Sequence, residues 1–123
     1  MVQKHAVPLT LLFAFDEEAK AWAALACEIS VASCGDSPED ARKMIKEAVE
    51  IHVSSMIELG KAGELAQPAS AEDLAEYFSG EDVVAERYVL LVTVETEPGP
   101  KATSFEFLPS AVVPYCYPPL LAA

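Results

Sequence analysis

Three cysteines, two histidines and 20 acidic residues carry most of the reactive chemistry of this 123-residue chain. A cysteine or serine nucleophile needs a histidine base within hydrogen-bond reach, usually placed by a family-specific spacing. Cys27, Cys34 and Cys116 stand at no such spacing from His5 or His52. There is no C-x-x-C pair, and the histidines are too few to complete a zinc site. His52 falls on the apolar stripe of an expected helix and reads as a packed side chain, while His5 lies near an N-terminus expected to fray. Carboxylates holding two metal ions would make a nuclease. Asp16, Glu28 and Glu95 fall near the ends of expected strands, yet no spacing joins them. No catalytic residue, metal ligand or cofactor is assigned. Binding remains. Asp16-Glu17-Glu18 forms an acidic turn followed by Trp22, and aromatic side chains anchor protein interfaces. Asp16, Glu17, Glu18 and Trp22 are therefore the candidate partner-binding residues. The alternative reading makes the acids a solvated turn and Trp22 a core residue.

Charge narrows the partners. Eight basic residues against 20 acidic ones leave a net charge of −12, which repels phosphate and disfavours direct nucleic-acid binding. The same charge favours docking onto a basic protein. At 52% hydrophobic residues the chain is not a disordered acidic polymer, and its length suits one domain with a modest core. The widely spaced cysteines read as reduced thiols of a cytoplasmic protein. "MVQKHAVPLTLLFAF" superficially resembles a signal peptide, but Asp16-Glu17-Glu18 interrupts it before any cleavage site. No apolar run approaches the ~20 residues of a membrane span.

The elements that must position these residues follow from periodicity. Val7–Phe15 reads as an apolar strand and Asp16–Ala19 as a hairpin tip. Lys20–Glu28 returns as a second strand, although its alanines would equally suit a helix. Ile29–Cys34 alternates as a third strand. Ser37 is placed as an N-cap, Pro38 at N1 and Asp40 at N3, in an acidic variant of the capping box. Ala41, Met44, Ile45, Ala48, Val49, His52, Val53, Met56 and Ile57 then form an apolar stripe, and Gly60 supplies the stop. A helix from Pro38 to Leu59 would be about 33 Å long. Gly60–Ala69 is a connector, Ser70–Gly80 a short second helix, and Arg87–Thr96 a strand with Tyr88, Leu90, Val92 and Val94 on one face. Six of the nine prolines fall from Pro98 onward, interleaved with aromatic residues. The expected division is a domain at residues 1–97 and a Pro/aromatic tail at 98–123 that packs on the domain or on a neighbouring subunit. The expected fold is α+β: a small antiparallel sheet in β-β-β-α-β order, one long helix on one face, and a short second helix.

The segment "FAFDEEAKAWAALACEISVASCGDSPEDARKMIKEAVEIHVSSMIELG" resembles the HicB-like antitoxin family. Trp22 stands where the family's second strand carries an aromatic, and Cys27-Glu28-Ile29 stands at its corner. Val31 to Ser37 matches the third strand and helix entry, while Glu39-Asp40-Ala41 and Ile45-Lys46-Glu47-Ala48 match the helix. The match covers about half the chain, from Pro8 to Gly60. Cys27 replaces the family's corner proline and Cys34 its glutamine. After Gly80 the only basic residues are Arg87 and Lys101, so the DNA-binding domain of many family members has no counterpart. The resemblance implies a stand-alone, non-enzymatic antitoxin that blocks the RNA-binding face of a small basic HicA-like toxin. A homodimer or higher homo-oligomer is expected. The alternatives are an orphan oligomeric HicB-like domain binding another protein or a small ligand, and a small metal-dependent nuclease.

Overall fold

The computed structural model describes residues 2–65, 68, 71–72 and 83–109. Five strands and one long helix follow in chain order: β1 (Val2–Asp16), β2 (Ala21–Ala26), β3 (Val31–Gly35), α1 (Pro38–Glu58), β4 (Val84–Glu95) and β5 (Lys101–Pro109). All neighbouring strands are antiparallel, in the spatial order β3-β2-β1-β4-β5. The α+β class is as expected, but the β-β-β-α-β architecture is corrected. The sheet has five strands, because the chain reverses after β4 and lays Lys101–Pro109 along its edge, and it curls into a half-barrel. Pro109 ends this strand, a position where proline's missing N–H removes no central ladder bond. The expected short helix over 70–80 falls outside the described residues, apart from Ala71 and Glu72, which are helical. Residues 110–123 of the expected tail, Cys116 included, also lie outside them.

Alternation sets the two faces. Leu9, Leu11 and Phe13 of β1 and Leu90, Val92 and Val94 of β4 are buried toward α1, while Leu12, Leu25 and Cys27 form a separate buried cluster on the opposite face. β1 is longer than its apolar run predicts. It begins at Val2, and His5 is paired in register with Val92 rather than frayed.

The helix begins and ends as its residues dictate. The Ser37 hydroxyl accepts the Asp40 N–H at 3.0 Å, and the Asp40 carboxylate reaches back to the Asp36 N–H at 2.9 Å. Gly60 takes φ +73, its N–H donating to the Ile57 carbonyl while the Lys61 N–H donates to that of Met56. This is the paired closure that an αL residue after a helix allows. The buried line is narrower than the apolar stripe: Ala41, Ile45, Val49, Val53 and Ile57. A strict four-residue repeat advances about 40° per step around a helix, so the contact line precesses by about 160° over its length. A flat sheet could not follow it, and a half-barrel can.

Candidate protein-interaction face

The β1–β2 hairpin tip is built by Asp16. Its Oδ1 accepts the N–H groups of Glu18 (3.0 Å) and Ala19 (3.3 Å), and Lys20 closes the turn at φ +54. Asp16 is thus committed to the turn, whereas Glu17 and Glu18 stand exposed. Register places Phe15 opposite Trp22 on the helix side of the sheet, the rings meeting edge to face at 5.7 Å and 63°. Trp22 divides its surface between the core, against which it packs, and solvent, while Phe15 is 42% exposed.

Trp22 is in turn paired with Gly35, and the first turn of α1 sits directly over that glycine. The helix entrance therefore lies beside the aromatic pair and brings exposed Asp36 and Glu39 to the same end of the molecule. Of the four residues the sequence singles out, Asp16 builds the hairpin turn, Glu17 and Glu18 are exposed in it, and Trp22 is half-buried against the core. Phe15, Asp36 and Glu39 were missed. Phe15 was legible, since a short tip after Phe15 pairs it with Trp22. The helix acids were not, because their neighbourhood depends on how α1 packs.

The carboxylates considered for a metal site are far apart. Asp16 ends β1, while Glu95 pairs with Val2 at its start. At ~3.3 Å per residue they are separated by roughly 45 Å along the strand. Glu28 is buried in the β2–β3 turn, where Oε1 accepts the Thr10 N–H at 2.6 Å and Oε2 the Thr10 hydroxyl at 2.8 Å. The Cys27 N–H donates to the Thr10 carbonyl at 3.0 Å, so Glu28 continues with its side chain the ladder that β2 has just left. Among the described residues no group of three or more His, Cys, Asp or Glu side chains could hold a metal ion.

A third polar cluster tethers α1 to β4. Arg42 grips Glu86 with Nε at 2.8 Å and Nη2 at 2.5 Å, and the Tyr88 hydroxyl donates to the same carboxylate at 2.7 Å. Lys46 Nζ lies 4.6 Å from the Tyr88 ring centroid and 5.4 Å from that of Phe107 on β5. Burial and the Glu86 bond push the Tyr88 hydroxyl up to about 12, so it remains a donor at neutral pH.

Two glutamates respond to acid in opposite senses. The Arg42 hydrogen bonds hold Glu86 below the ordinary 4.5, outweighing its partial burial. Its contribution to stability is present above that value and is lost as pH falls through the folded one. Burial raises Glu28 above 4.5 despite the Thr10 bonds that favour its charge. Its contribution is complete below 4.5 and is lost as pH rises through the folded value. Urea unfolding from neutral pH into the acid range checks both. The stability advantage of the wild type over Glu86→Gln should shrink on acidification, and that over Glu28→Gln should grow.

The fold and this end of the sheet define a small acidic α+β domain that offers aromatic and carboxylate side chains. No family model, curated protein or solved structure matches the chain. No helix among the described residues is long and apolar enough to cross a membrane.

Proposed function

We propose that this chain is a non-enzymatic, antitoxin-like protein that binds and neutralises a small basic RNA-cleaving toxin, the HicA-like half of a type II toxin–antitoxin pair. The observation that carries this reading is the Phe15–Trp22 pair beside exposed Glu17 and Glu18, on a chain of net charge −12. Carboxylates on such a surface compete with RNA phosphates for a cationic face, and the aromatic pair adds a desolvated anchor. The same charge opposes direct nucleic-acid binding, so action is through protein contact.

The test is co-expression with a small basic toxin encoded by an adjacent reading frame. Growth arrested by the toxin alone should be restored, and the two proteins should co-purify. Arrest that persists at full expression of this chain would overturn the reading. A second reading, an orphan homo-oligomer, is favoured by β5, the last strand in the sheet order, with Leu108 exposed on it. It gains if the purified chain is a stable dimer and no adjacent frame encodes a basic protein.

A further inference from the structure

We infer that the Phe15–Trp22 end of the sheet is a docking surface for an arginine-rich segment of a basic protein, held between the carboxylates of the hairpin tip and those of the helix entrance. The inference rests on the protein-binding reading above and specifies its chemistry.

The surface has an apolar centre and a charged rim that come from different parts of the fold. Phe15 and Trp22 lie on the face of the sheet that carries the core, at its open end, where Phe15 remains 42% exposed. Trp22 is half-buried against the core, so the exposed ring of the pair is Phe15. Glu17 and Glu18 are exposed in the hairpin tip, and Asp36 and Glu39 are exposed at the helix entrance. The two remaining acids of this region, Asp16 and Asp40, are spent on backbone N–H groups. The rim is therefore not a uniform acidic cluster. Two acids build the scaffold and four stay exposed.

Charge decides the occupant. A second copy docking through the same face would set two acidic rims against each other, and like charges across an interface are strongly unfavourable. The chain's own cations offset the rim only in part, with exposed Lys43 one helical turn beyond Glu39. Lys20 is the single basic residue of the tip, and Arg42, with Glu39 in its field, is held by Glu86. A cationic partner is left, and aromatic rings combined with carboxylates favour arginine over lysine. Either cation can sit over a ring, as Lys46 does over Tyr88, but only a guanidinium adds paired hydrogen bonds to a carboxylate from its edge. Arg42 combines both kinds of contact within the chain, its guanidinium carbon 5.7 Å from the Phe13 ring centroid while Nε and Nη2 bind Glu86.

Trp22 is the only tryptophan, so its fluorescence reports the site directly. The experiment titrates the full chain with two synthetic peptides of equal length and charge, one rich in arginine and one in lysine. The arginine peptide should bind about tenfold more tightly, shift Trp22 emission, and weaken as salt is raised. Phe15→Ala should cost about two- to fivefold, consistent with one exposed cation–π anchor. The double variant Glu17→Lys/Glu18→Lys, confined to an exposed turn away from the core, should lose binding and flatten the salt dependence. Equal affinity for both peptides, or unchanged affinity in both variants with far-ultraviolet circular dichroism showing them folded, would overturn the inference. Toxin neutralisation that survives both variants would also overturn it while leaving the antitoxin reading intact. Peptide binding as expected, with no rescue of growth, would reject the antitoxin reading and keep the docking surface.

Discussion

Gly35→Ala is expected to destabilise the fold by about 3 kcal/mol, the upper end of ordinary overpacking, and to lower Tm by about 10 °C. Gly35 is the last residue of β3, where the first turn of α1 crosses it. A Cβ there would lie 2.4 Å from the Ala41 nitrogen, 2.7 Å from the Asp40 carbonyl carbon and 2.8 Å from the Ala41 Cα. These are backbone atoms of a capped helix, so no flexible side chain can swing aside. Relief requires α1 to move off the sheet and loosen the contacts of Ala41 and Ile45. Gly63→Ala is the matched control. Nothing lies within 4 Å of a Cβ at Gly63, and its stability should stay within about 0.5 kcal/mol of the wild type. Thermal unfolding of the two variants side by side checks the expectation, and equal melting points would refute it.

Ile45→Ala should cost about 3–4 kcal/mol, combining lost transfer free energy with the cavity left behind. Ile45 is fully buried on the line from Ala41 to Ile57, in the same core cluster as Leu9, Leu11 and Leu90. The comparison is Ile51→Ala in the same helix. Ile51 is 69% exposed, so the identical chemical change should move stability by no more than about 0.5 kcal/mol. Denaturant midpoints at constant m-value separate the two. A similar loss at both positions would mean that α1 is not seated on the sheet through this line.

Some of this architecture was legible because its causes are local. Ser37, Pro38, Asp40 and Gly60 mark the ends of α1 through groups no more than four residues away, and the structure places each in that role. The alternation of Leu90, Val92 and Val94 set the buried face of β4 for the same reason. β2 was ambiguous because alanine favours helix in isolation. Pairing with β1 and β3 overrides that preference. Ala24 and Ala26, fully buried, keep this part of the sheet low enough for the helix to approach as closely as Gly35 requires. β5 was hidden by the prolines that flank it, since a proline-rich segment reads as tail until an edge is available to receive it.

The candidate face divides in the same way. Its acidic turn, its tryptophan and the charge complementary to a basic partner are properties of the chain as written. The commitment of Asp16 to its turn, the meeting of Phe15 with Trp22 and the arrival of Asp36 and Glu39 beside them depend on hairpin register and helix docking. The sequence by itself determined the elements, their caps and the sign of the field, because these arise from neighbours along the chain. Only the tertiary structure decided the five-stranded half-barrel, the requirement for glycine at position 35 and the composition of the face. Each of those depends on residues that are brought together when the helix packs into the curve of the sheet.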